Sequence, residues 1–273
     1  MDTNEHLDSS EKSDELQKEK YLEKLKQFRL FDDTYARTYF RTHPELAEFV
    51  LRIITGIKDL TIDPSEYETQ YDAKRLAGSR SLIMDVHAGD THGKKYNLEV
   101  ENRTASPERA EYHVAAMCVE HLKPGADFSD LPEIYIIFLC DTDSVGNGEA
   151  ITPFSFRADN APHASMKGRT HVIYVNGDYK DDGSDIAKLI HDFKCRNADD
   201  MYFENLAERT RYLKTDPKGV SEMCRIMDEM KKETVIEIAL NFLKIGKNSY
   251  EEIANATGLT LDEVKKLAEQ SAA

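Results

Sequence analysis

From Tyr21 onward apolar residues recur at helical spacing, through Leu22, Leu25, Phe28 and Phe31, which predicts a helix there. A second helix follows Thr42-His43-Pro44. Proline suits the first helical position, Leu46, Phe49, Val50 and Ile53 fall on one face, and Gly56 stops it. Glu45, Glu48 and Arg52 take the opposite face. Between residues 80 and 103 the period drops to two. Leu82, Met84 and Val86 alternate with Ser81, Ile83, Asp85 and His87, and Tyr96-Asn97-Leu98-Glu99-Val100-Glu101 alternates strictly. Asp90-Thr91-His92-Gly93-Lys94 between them has the make-up of a hairpin loop closed by a glycine. Ser106-Pro107 caps a helix running to about Leu122, ended by Lys123-Pro124-Gly125. Two more strands are predicted at Ile134–Cys140 and His171–Val175. Helices interleaved with strands predict an α/β body, a mixed sheet flanked by helices.

The last sixty residues are helical in pattern. Glu233 to Lys244 forms an amphipathic helix, and Ser249 with Glu252 makes a capping box for a short one. Ala256-Thr257-Gly258-Leu259 turns the chain, and Thr260 with Glu263 opens a final helix. This is a helix-turn-helix layout. A groove reader offers basic or amide side chains from its second helix. Here Lys265, Lys266 and Gln270 stand beside Asp262, Glu263 and Glu269, so a packing or protein-contact module fits equally well. The organisation expected is a polar arm at 1–27, a central domain at 28–215 and a C-terminal all-helical segment at 216–273.

Charge narrows the function classes. The chain has 273 residues, 51 acidic against 36 basic, and a formal net charge of −15, which argues against a protein that coats DNA generally. Residues 74–123 alone escape the acidic excess, at +1. No apolar run is long enough to span a membrane, so no membrane partner is expected. The acidic amino terminus resembles neither a secretory signal nor a transit peptide. Cys118, Cys140, Cys195 and Cys224 lie far apart without a C-x-x-C pair, which suits reduced thiols in a cytoplasmic protein.

Candidate chemistry sits in the one segment that is not acidic. Pairing Asp90 with Lys94 around the loop sets Asp85 opposite Glu99, their Cβ atoms roughly 5 Å apart. Residues two apart on a strand share a face, so Glu101 joins Glu99, as does Arg103 if the strand continues. Two such carboxylates repel unless a cation lies between them. A hard divalent cation, Mg²⁺ or Mn²⁺, takes oxygen ligands and keeps sites for water and phosphate oxygens. The alternative for this pair is a solvated hairpin edge. His87, His92, His113 and His121 supply no closed zinc set and are assigned to core or surface.

The stretch SLIMDVHAGDTHGKKYNLEVENRTASPERAEYHVAAMCVEHLKPGADFSDLPEIYIIFLC resembles the PD-(D/E)XK nuclease family transposases, the recombination-promoting nuclease group, over roughly residues 28–215. The resemblance implies a restriction-endonuclease-like core, Mg²⁺-dependent cleavage of DNA, and metal-binding roles for Asp85 and Glu99. It also implies the backbone carbonyl of Val100 as a further ligand. Glu101 departs from the pattern, since the superfamily usually carries lysine there and this family often glutamine. A glutamate can ligate a second metal, act as general base, or sit protonated beside its neighbours. The missing positive charge then falls to Arg103 or to Arg109 in the first turn of the next helix. Glu48 is a further candidate acid. A fold that kept its shape but lost cleavage, serving as a binding or regulatory module, is the rival expectation, and an RNA-directed nuclease a second. DNA is the expected partner, with homo-oligomer formation left open.

Overall fold

The computed structural model describes residues 19–72, 83–155, 157, 158, 160–165, 168–180 and 182–271. Ser81 and Leu82 of the predicted first strand, and the arm before residue 19, lie outside these. The chain divides into two compact units, residues 22–219 and residues 1–21 with 220–273.

The larger unit begins within α1 (19–27), from residue 22, and continues with α2 (Asp33–Phe40) and α3 (Pro44–Thr55). Helix α3 starts at the expected proline and ends at Gly56, but the face it buries is turned. Leu46, Ala47, Val50, Leu51 and Ile54 are buried, not the expected row through Phe49 and Ile53. Phe49 is drawn sideways into an edge-to-face contact with Phe203, ring centroids 4.9 Å apart.

Strands β1 (Ile62–Asp72), β2 (Ile83–Asp90) and β3 (Lys95–Glu101) follow as an antiparallel series. The β2–β3 register runs Val86–Leu98, His87–Asn97, Ala88–Tyr96 and Gly89–Lys95, the one derived from the Asp90–Lys94 closure. The turn explains itself locally. Asp90 N–H donates to the Lys94 carbonyl at 2.9 Å, and Asp90 Oδ1 accepts the N–H groups of His92 and Lys94. Gly93 supplies the left-handed residue, φ +80°.

Helix α4 (Pro107–His121), capped by the Ser106 side chain, carries the chain over to β4 (Ile134–Cys140), parallel to β3. Then come β5 (Ile151–Phe154), a small β6 (Arg157–Ala158) and β7 (Ala161–Ser165) pair, and β8 (Thr170–Asn176). The main sheet has the order β1-β2-β3-β4-β8-β5 and is mixed. Strand β4 lies between two parallel neighbours, and Ile134, Ile136, Ile137, Phe138, Leu139 and Cys140 are all fully buried, hence its unbroken apolar sequence. Helices α5 (Asp185–Lys194) and α6 (Glu204–Thr215) complete the unit.

In the smaller unit α7 (Pro217–Ile245) is far longer than the expected 233–244. It is followed by α8 (Tyr250–Thr257) and α9 (Leu261–Ser271). Ala239, Ile253 and Val264 form its buried centre. Ser249 and Glu252 make the expected capping box, Gly258 turns the chain, and Thr260 and Glu263 cap α9.

Candidate active site

The β2–β3 ladder stops at Val86–Leu98, and the next pair outward is Asp85 and Glu99. Here side chains replace main-chain partners. Asp85 N–H donates to Glu99 Oε1 at 3.2 Å, and Val100 N–H donates to Asp85 Oδ2 at 3.1 Å. The N–H and C=O of one strand residue point to the same side, so the Val100 carbonyl lies on the β2 side of β3. From β1, Gln70 Nε2 donates to Asp85 Oδ1 at 3.2 Å. Gln70 has φ +59°, one of two non-glycine residues in the left-handed region among the described residues. A long side chain held there costs of order 1 kcal/mol, and such strain gathers at functional positions.

The third acid faces a cation. Arg109, one turn into α4, donates from Nη2 to Glu99 Oε2 at 2.9 Å and ion-pairs through Nη1 with Glu101 Oε1 at 2.7 Å. Its guanidinium lies 6.0 Å from the centre of the Phe138 ring. Ser106 fixes this geometry by capping α4 at the Arg109 N–H. His113, one turn further along α4, is fully buried. Its Nδ1 lies 2.7 Å from Asn97 Nδ2 and 3.8 Å from Glu99 Oε1.

Burial sets the electrostatics. It lifts the Glu99 carboxyl to about 8, aided by the charge of Asp85, and it lifts Asp85 to about 6. Burial also raises Glu101, against the pull of Arg109. The charge of Asp33, at the start of α2, raises both Asp85 and Glu101, which makes it a fourth acid at this end of the sheet. Of these acids, Glu101, Glu99 and Asp85 act directly on the Arg109 guanidinium.

The expected residues divide as follows. Asp85, Glu99, the Val100 carbonyl, Glu101 and Arg109 come together. Glu101 does not join Asp85 and Glu99 in a tight three-acid set, because it turns to Arg109. Among the described residues the one group of three ligand-type side chains with atoms all within 4.8 Å is His191, Asp192 and Cys195, on and just past α5. Arg103 is a correction: β3 ends at Glu101, so strand parity does not carry to residue 103, which is exposed in the following bend. Glu48 is another. Its Oε2 accepts the Ile62 N–H at 2.9 Å and its Oε1 pairs with Arg52 at 2.7 Å, so it ties α3 to β1. The histidines are structural. His87 is buried between stacked Tyr71 and His121, with centroids at 4.4 and 5.3 Å.

Asp85 and Glu99 present four carboxylate oxygens where the hairpin splays, and each accepts a hydrogen bond, from Gln70, Val100, the Asp85 N–H and Arg109. In comparisons with known proteins, no family model, no curated protein and no solved structure matches this chain. Among the described residues no helix is long and apolar enough to cross a membrane.

Proposed function

We propose that the splayed end of the hairpin is the active site of a metal-dependent phosphodiesterase. More narrowly, the protein acts as an Mg²⁺- or Mn²⁺-dependent DNA endonuclease of the PD-(D/E)XK transposase-like kind, with a restriction-endonuclease-like core in the cytoplasm. The observation that carries this is the interlock of Asp85 and Glu99. The Asp85 N–H donates to Glu99 and the Val100 N–H donates to Asp85, so a buried and a half-buried carboxylate are held against each other, with Asp33 and Glu101 adding charge and Arg109 opposing it. Such a cluster favours a divalent cation, which when bound supplies Lewis acidity and charge to a phosphoryl oxygen.

The chain's own residues have separate tasks. Asp85 and Glu99 hold the cation, with the Val100 carbonyl beside them. Gln70 fixes the rotamer of Asp85. Arg109 supplies the positive charge that lysine provides in the resembling superfamily, reaching the site from α4 instead of from β3. Glu101, half-neutralised by Arg109, is the general base for an attacking water.

The test is relaxation of supercoiled plasmid in Mg²⁺ or Mn²⁺, beside Asp85→Ala. Cleavage by the parent and not the variant is expected; cleavage by neither removes the enzyme. One observation favours a second reading, a regulatory module without cleavage: Arg109 already bridges Glu99 and Glu101, a built-in counterion. Arg109→Ala separates the two. In the enzyme it lowers cleavage by roughly 10- to 100-fold. In the regulatory module it opens a metal site, and Mn²⁺ affinity measured by titration calorimetry rises above that of the parent.

A further inference from the structure

Beside the acid site, at the carboxyl end of β4, lies a cavity of opposite character. Asp141 joins the two: its N–H donates to the Glu101 carbonyl at 2.8 Å, and its carboxylate receives Arg29 at 2.9 Å and Lys194 at 3.5 Å. Arg29 also stands four residues before Asp33. The cavity, about 710 Å³, is lined by Arg29, Lys194, Arg196, His191 and Tyr202, with Asp200 as its acidic member. Arg196 is exposed and, among the described residues, makes no ion pair.

The cationic wall is built, not incidental. Lys214, largely buried, donates to the backbone carbonyls of both Phe28 and Arg196, so it pins together the two segments that carry Arg29 and Arg196. The Arg29 N–H is fixed in turn by Asp32 Oδ2 at 2.7 Å. Burial pushes the Lys214 ammonium down to about 8, with Asp32 pulling against it and the charge of Arg196 adding to it. An anion in the cavity relieves that repulsion.

A metal does not suit the place. His191, Asp192 and Cys195 come close together, with Asp192 Oδ1 and Oδ2 accepting the N–H groups of Tyr202 at 2.7 Å and Phe203 at 2.9 Å. Burial, with the charges of Asp192 and Asp200, pushes the Cys195 thiol up to about 11, the wrong direction for a thiolate ligand. The identity of the anion follows from Tyr202. Its ring is 53% exposed beside these cations, with His191 packed against it at 4.7 Å. Cations that hold a backbone, next to an exposed aromatic face that stacks a base, are how unpaired nucleic acid is held.

Building on the nuclease function above, we propose that this cavity is a strand-binding subsite. It takes a backbone phosphate of a nucleic-acid strand among Arg29, Lys194 and Arg196, with an unpaired base on Tyr202.

The experiment is fluorescence anisotropy of the full chain with labelled oligothymidylate in EDTA, where no cleavage contributes. Arg196→Glu is expected to weaken binding at least tenfold and to flatten the salt dependence by about one unit of slope. Tyr202→Ala is expected to weaken single-strand binding about fivefold or more, and duplex binding by less than twofold. Circular dichroism confirms that both exposed-site variants fold. No binding by the parent, or parental affinity and salt slope in both variants, overturns the subsite. So does stoichiometric zinc uptake abolished by Cys195→Ser. Failure of the two proposals is distinguishable. Binding lost in Arg196→Glu without cleavage by the parent keeps the subsite and removes the nuclease. Parental cleavage with unchanged KM in Arg196→Glu does the reverse.

Discussion

At one end of the β2–β3 hairpin Asp90 closes the turn, and at the other Asp85 faces Glu99. Asp90 is buried and Asp85 half-buried, and both accept backbone N–H groups, yet they differ in where their partners come from. Asp90 is satisfied within seven residues, by His92, Lys94 and the Tyr96 hydroxyl at 2.9 Å. Asp85 draws on Gln70, Val100 and Glu99, and its field is shaped by Asp33 and Arg109. A carboxylate whose partners are all local donors stabilises the fold. One packed against other acids is held at an electrostatic cost, and such clusters gather at functional sites.

The sharpest way to break this comparison is to remove each acid in turn. Asp85→Ala is expected to lower plasmid cleavage roughly a thousandfold with little loss of thermal stability, since it relieves repulsion. Asp90→Ala should do the opposite. Three hydrogen bonds to a buried acceptor are lost, costing about 2–4 kcal/mol in denaturant unfolding, while the remaining folded protein cleaves normally. Equal effects of the two substitutions on both readouts would erase the distinction.

Next in size is a pH effect. Glu99 rises to about 8 in the fold, from about 4.3 in an unfolded chain. The ion-free fold therefore binds a proton that the unfolded chain has released, so stability is lost as pH rises toward 8. Burial lowers His87, His113 and His121 to about 4, which gives the reverse slope, but only below about pH 6.5. From pH 6.5 to 8 Glu99 therefore dominates, opposed only near pH 8 by Lys214, whose value burial lowers to about 8 and whose contribution rises with pH. Thermal melts in EDTA should show a loss of about 1–2 kcal/mol across it, and millimolar Mg²⁺ should restore more stability at pH 8 than at pH 6.5. A flat profile in EDTA contradicts this account.

The smallest effect concerns Gln70. Gln70→Gly relieves the positive φ and is expected to change stability by less than about 1 kcal/mol, while cleavage falls several-fold because Asp85 loses its outer donor.

The same contrast explains what could be seen in the chain beforehand. The Asp85–Glu99 register was legible because a strict alternation and one loop glycine determine it, and Arg109 because it sits one turn past a Ser-Pro cap. Gln70 was not, since β1 is polar, does not alternate and gave no strand signal. Asp33 lies more than fifty residues before Asp85 and meets the site only through tertiary packing. Glu48 misled because a helix pattern shows which residues share a face, not which neighbour that face will meet. The turned face of α3 has the same origin, in the Phe49–Phe203 contact. Arg103 failed because two-residue periodicity holds only while the strand lasts.

The β3–α4–β4 crossover has a consequence for how the chain folds. Loops that close over few residues form early, and those spanning many form late. Asp85, Glu99 and Arg109 belong to a stretch of 25 consecutive residues, so mutually repelling acids are gathered by the fastest step available. The guanidinium that calms them arrives in that same step, only ten positions behind Glu99, before the distant Asp33 can dock. The order of residues along the polypeptide thus shields the nascent chain from its own charge.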